Sequence, residues 1–220
     1  MPWREKGYFM GLNLKVEGLS LKKGYNLLIH NLNFEIKPGE AISLTGENGV
    51  GKTTLLRTLA GFLMPHAGTI SAYENDVQVE PEVWHGHMTH FLGHHDALSP
   101  SRTVAQELKF QADFLGGEVA GIEQLNLLGL MDLETRYLSA GQKRRLSFAR
   151  LLMIKRPLWL LDEPMAPLDV GHRALIAGLM QKHLSDGGMI IAAVHDPLPF
   201  ETRSLKLERP TAKEREAASV

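Results

Sequence analysis

Apolar and polar residues alternate over 12–16, and the same period of two returns over 32–36 before the turn Lys37-Pro38-Gly39-Glu40. Both stretches predict strands. Residues 41–45 (AISLT) predict a short strand running into a glycine-rich loop, and 52–61 predict a helix. Leu55, Leu56 and Leu59 fall on one face of that helix, and Gly61 stops it. Residues 97–152 are mostly helical in pattern, with apolar periodicity over 104–114, over 122–130 and again over 143–154. Then come a strand at 158–161, a helix at 174–184 and a strand at 189–194. The last two strands are unbroken apolar runs, as expected of strands buried on both faces in a parallel sheet covered by helices. Residues 1–11 read as a flexible leader and 208–220 as a disordered polar tail. No internal repeat is visible.

Composition narrows the picture. The chain has 220 residues, 44% hydrophobic and 22% charged, with a net charge of −1 and no cysteine. That suits one soluble α/β domain, gives no bulk attraction to nucleic acid, and leaves no disulfide or thiolate metal site. No stretch reaches the roughly 18 apolar residues needed to span a bilayer. The start, Met1-Pro2-Trp3-Arg4-Glu5-Lys6, does not lead into the apolar core of a signal peptide. Any work at a membrane is therefore expected to go through a partner.

The chemistry begins at Gly46-Glu47-Asn48-Gly49-Val50-Gly51-Lys52-Thr53, which fills every fixed position of the phosphate-binding loop pattern. Glycines let the backbone curl so that successive N–H groups face phosphate oxygens, and the following helix points its positive end at the same place. Lys52 is expected to reach the β- and γ-phosphates of ATP. The Thr53 hydroxyl is expected on Mg²⁺, with Thr54 continuing the nucleotide contact into the helix. The strand 158–161 delivers two acids, Asp162 and Glu163. Asp162 suits the Mg²⁺ shell, usually through water, and Glu163 suits polarisation of the water that attacks the γ-phosphate.

Leu138-Ser139-Ala140-Gly141-Gln142, just upstream of those acids, resembles the signature sequence of the ABC (ATP-binding cassette) ATPases, with Ala140 where glycine is commoner. The resemblance covers about 12–207. It implies a P-loop NTPase core with a mostly parallel sheet, an N-terminal antiparallel β portion and a small helical subdomain at about 97–152. It also implies that Ser139, Ala140, Gly141 and Gln142 face the γ-phosphate held by a second subunit, in a homodimer with ATP at the interface. His195 matches the family's switch histidine, and Asp169 matches its dimer-contacting aspartate. His95 stands where the family has a metal-sensing glutamine, so it joins Thr53 and Asp162 as a candidate metal contact. The adenine-stacking aromatic would fall at Lys23; Tyr25 is the near alternative, or else a surface residue of a hairpin. The run His85, His87, His90, His94 and His95 reads as a loop and strand leading to a partner-contacting region, with metal binding as the other reading.

Within the class, the small size and the phrases at 92–94, 138–146 and 156–164 are similar to the haem-exporter ATPases of cytochrome c biogenesis. That implies integral membrane permease subunits as partners at the cytoplasmic face of a bacterial inner membrane. It also implies that ATP turnover releases a haem-loaded chaperone. Two alternatives stay open: an ATPase for another transported substrate, and a non-transport ABC protein acting on DNA or ribosomes. Proteins of the second kind usually carry paired cassettes or long coiled coils, and this sequence has neither, so no nucleic-acid partner is expected.

Overall fold

The computed structural model describes residues 11–217, so the expected leader falls almost wholly outside the described residues. Strand β1 (Leu12–Lys23) pairs antiparallel with β2 (Asn26–Ile36) and with β4 (Ala67–Glu74), and β5 (Val77–Val79) completes a sheet ordered β2-β1-β4-β5. β1 runs on past the expected residue 16 because its pairing with β2 shifts register between Val16 and Leu19, next to Gly18 at φ 61°. Such a bulge breaks the period of two that marks a strand in sequence.

The second sheet is parallel throughout, ordered β6 (Thr89–Leu92), β7 (Leu158–Asp162), β8 (Met189–Ala193), β3 (Ala41–Thr45) and β9 (Arg203–Lys206). Every residue of β7 and β8 is buried. The reason is that the sheet divides two apolar cores. Leu158 and Leu160 join one core with α1 (Lys52–Leu59) and the antiparallel sheet. Trp159 and Leu161 join the other with α3 (Val104–Leu115), α4 (Ala140–Met153) and α5 (Val170–Ser185). Helix α2 (Pro81–His87) lies between β5 and β6.

Two expectations need correction. Residues 122–130 form turns and a 3₁₀ stretch, Leu128–Leu130, instead of an α-helix. Asn126 takes a left-handed conformation at φ 50°, and the buried Arg145 guanidinium claims the carbonyls of Leu125 (2.6 Å) and Asn126 (2.8 Å). The tail read as disordered contains a short helix α6 (Ala212–Ala217) against β2. Its start is a capping box: Glu214 accepts from the Thr211 N–H at 2.7 Å and the Thr211 hydroxyl accepts from the Glu214 N–H at 3.3 Å. Among the described residues no helix is long and apolar enough to cross a membrane.

Candidate active site

The loop 46–51 joins the C-terminal end of β3 to α1. Gly46 sits at φ 133°, where an added Cβ would lie 2.5 Å from the Leu207 carbonyl oxygen, so only glycine fits. Gly51, at φ 118°, occupies the N-cap of α1 and offers no side chain to cap it. The first N–H groups of the helix are left without a side-chain acceptor, which is the electrostatic form of an anion site. Val50 is buried and anchors the loop, while Glu47 turns outward to Arg209 at 3.3 Å. Asn48, Gly49, Gly51, Lys52, Thr53 and Thr54 line an open cleft of about 700 Å³, together with Lys22 and Lys23. Lys52 is buried, its Nζ donating to the carbonyls of Gly46 (2.6 Å) and Glu47 (3.3 Å).

Strand β7 ends at this cleft, where Asp162 is among its lining residues. The Thr53 hydroxyl donates to Asp162 Oδ2 at 2.9 Å, although 109 residues separate them in the chain. The pair offers two hard oxygen donors beside the phosphate loop, which fits Mg²⁺, an ion that keeps several waters and takes few protein ligands. Glu163 follows in the left-handed region at φ 51°. Its carboxylate lies between two imidazoles: His195 Nε2 is 2.9 Å from Oε1 and His94 Nδ1 is 3.6 Å from Oε2.

His94, to which the sequence reading gave no role of its own, thus stands beside the Glu163 carboxylate. The His95 ring packs edge-on against that of His94, with centroids 5.4 Å apart. Among the described residues no three His, Asp, Glu or Cys side chains gather to hold a metal ion. The other histidines of the run are dispersed. His85 and His87 belong to α2, and not to a loop. His90 is buried on β6, where its Nε2 meets the Ile154 carbonyl at 2.9 Å and burial lowers its pKa to about 3. It is a neutral structural group.

Helix α4 begins on the signature residues. Ser139 is its N-cap: the hydroxyl accepts from the Gln142 N–H at 3.2 Å, and Gln142 Oε1 accepts from the Ser139 N–H at 2.8 Å. A capping hydroxyl still has its own proton to donate to an anion. Ala140 is exposed, so a methyl costs nothing there. Gly141 is the tight position, where a Cβ would come 3.1 Å from the Pro167 carbonyl oxygen. Asp169 caps α5 through the His172 N–H (2.9 Å) and pairs with His172 Nδ1 (2.8 Å), contacts that hold its carboxyl below the usual range. Tyr25 is fully exposed at the β1–β2 turn and does not line the cleft, whereas Lys23 does.

Two residues escaped the sequence reading. His94 was read only as one of a run of histidines, and its place beside Glu163 has no signal in the sequence. Arg144 lies within the basic start of α4, and its only signal was charge inside a helix that otherwise reads as apolar.

Residues 29–166 match the ABC transporter family. The cytochrome c biogenesis ATP-binding export protein CcmA of Rhodopseudomonas palustris (strain HaA2) is 47% identical over 200 residues, covering 89% of this chain and 98% of that protein. The protein of the same name from Bradyrhizobium diazoefficiens is 47% identical over 190 residues, covering 84% and 92%. Among solved structures, an ABC transporter ATP-binding protein from Pyrococcus furiosus superimposes with a TM-score of 0.76 at 24% identity, over 89% of this chain and 97% of that one. A bacterial ABC transporter cassette described as dimeric gives 0.74 at 24% identity, over 88% and 94%. These two likenesses concern the fold.

Proposed function

We propose that this chain, which belongs to the ABC transporter family and within it to the cytochrome c biogenesis ATP-binding export proteins, is the ATPase subunit of a haem-export complex. In this reading it sits at the cytoplasmic face of a bacterial inner membrane, bound to integral membrane permease subunits, and its turnover drives release of a haem-loaded chaperone. The observation that carries the reading is the joining of the phosphate loop to the acid pair through Thr53 and Asp162, with Glu163 and His195 lining the same cleft.

The chemistry follows from those positions. The N–H groups of 46–51 and the start of α1 take the β- and γ-phosphates of ATP, and the Lys52 ammonium leaves two loop carbonyls to compensate their charge. Thr53, and Asp162 through water, would hold Mg²⁺, which would supply neutralisation of phosphate charge. Glu163 accepts a proton from the attacking water, and His195 orients its carboxylate. The capped start of α4 in one copy supplies the remaining donors to the γ-phosphate in a second copy, so two ATP molecules lie between two chains. Asp169 faces the partner in that arrangement.

The absence of cysteine from the sequence makes a clean test. Ser139→Cys and Asn48→Cys are introduced into the full chain, which is then purified from membranes with its bound subunits. The reading expects ATP-dependent disulfide formation between copies, and co-purifying permease subunits identified by mass spectrometry. No cross-link with ATP in that complex would sink the shared site. A permease for a cargo other than haem would sink the export assignment alone.

A further inference from the structure

Arg144 is a cation that the fold buries at a cost. Its side chain is 3% exposed, on the second turn of α4. Burial lowers its pKa, against the pull of Asp96 and its hydrogen bonds. Replacing a whole buried ion pair with apolar side chains is often neutral or stabilising, so the Arg144–Asp96 pair is not accounted for by stability alone.

The guanidinium ties two segments, 93–96 and 162–163, to helix α4. Nη1 donates to the Gly93 carbonyl (2.8 Å) and to Asp96 Oδ1 (3.2 Å). Nη2 donates to the carbonyls of Asp162 (2.5 Å) and Glu163 (2.9 Å). Asp96 is fixed in turn from α4: Ser147 Oγ donates to its carboxylate at 2.9 Å, and Arg150 Nη2 donates to its carbonyl at 2.5 Å. One side chain from the signature helix therefore clamps the carbonyls of both acids and the loop that carries His94. Glu163 needs that clamp, because its left-handed φ of 51° is unfavourable for a residue with a Cβ.

We infer that Arg144, paired with Asp96, is a positioning residue for ATP hydrolysis that holds the Glu163 backbone and the 93–96 loop in register with helix α4. The inference rests on the reading of Glu163 as the water-activating carboxylate. A planar fork meets four acceptors in two directions, and a single ammonium cannot. Glu163 then loses its fixed distance to the γ-phosphate while the phosphate loop, which Arg144 does not touch, keeps its grip on ATP.

The test uses Arg144→Lys and Asp96→Asn in the full chain with its membrane partner. Both variants are expected to lose kcat, Arg144→Lys by roughly 10–100-fold and Asp96→Asn by less, because small misplacements of a reacting group cost rates of that order. KM for ATP should stay within about 2-fold, since the ground-state contacts remain. Wild-type kcat in a folded Arg144→Lys protein would overturn the inference. So would a loss of ATP affinity in step with turnover, which marks a merely structural role. If Arg144→Lys fails to fold, Asp96→Asn decides: reduced kcat at unchanged KM upholds the inference, and full kcat overturns it. The two readings separate cleanly, because full turnover in Glu163→Gln would instead defeat the assignment of the base.

Discussion

Two buried histidines make the stability of this protein sensitive to mild acid. His183 on α5 stacks on Trp159, with ring centroids 3.9 Å apart, and its Nε2 lies 3.1 Å from the Pro157 carbonyl. Burial lowers its pKa to about 4, and lowers that of His90 to about 3. In the unfolded chain both return to about 6.5. As pH falls below 6.5, the unfolded state takes up protons that the folded state refuses, so stability falls with pH. The loss ends only near pH 4 for His183 and pH 3 for His90. Between pH 7 and pH 5 each site costs about 2 kcal/mol, and the two together about 4 kcal/mol. Against a typical stability of about 5–15 kcal/mol, that is a large share. His85 is shifted downward by burial as well, so it adds to the loss. Urea unfolding at the two pH values measures the difference, with an unchanged slope confirming the same transition. His183→Phe keeps an aromatic ring on Trp159 but cannot titrate, and should cut the loss to about 2 kcal/mol. A wild-type loss below about 1 kcal/mol, or an undiminished loss in His183→Phe, would refute the reasoning.

Three further outcomes are expected. Glu163→Gln keeps a hydrogen-bonding group beside His195 but removes the base, so kcat should fall by roughly 10²–10⁴-fold with ATP affinity retained; size exclusion with light scattering should show a dimer with ATP and Mg²⁺ and a monomer with ADP, and a monomer in both would count against the shared site. Lys52→Ala leaves β- and γ-phosphate charge uncompensated in a site built of dipoles, so productive ATP binding or turnover should disappear, and near-normal hydrolysis would remove the phosphate-loop assignment. His94→Asn places an amide near the Nδ1 position that meets Glu163; it should retain more turnover than His94→Ala, while His95→Gln should stay active, and equal turnover in both His94 variants would show that the imidazole does not orient the base.

The sequence by itself determined the parts of this protein that depend on local chemistry. Glycines at 46, 49 and 51 let the loop before Lys52 curl, unbroken apolar runs at 158–161 and 190–194 require a sheet covered on both faces, and a strand end delivers two adjacent acids, Asp162 and Glu163. What failed was decided by partners far away in the chain. The apolar periodicity of 122–130 lost to the Arg145 guanidinium, which claims its carbonyls from α4. The polar edge strand β9 exists only because β3 offers it a ladder from Ile42 to Thr45. That His94 meets Glu163 depends on the direction in which the chain leaves β6, and sequence spacing does not carry that direction. Arg144 is the sharpest case: its charge alone predicts a solvated surface, and only the convergence of Gly93, Asp96, Asp162 and Glu163 supplies enough acceptors to keep a guanidinium in the interior.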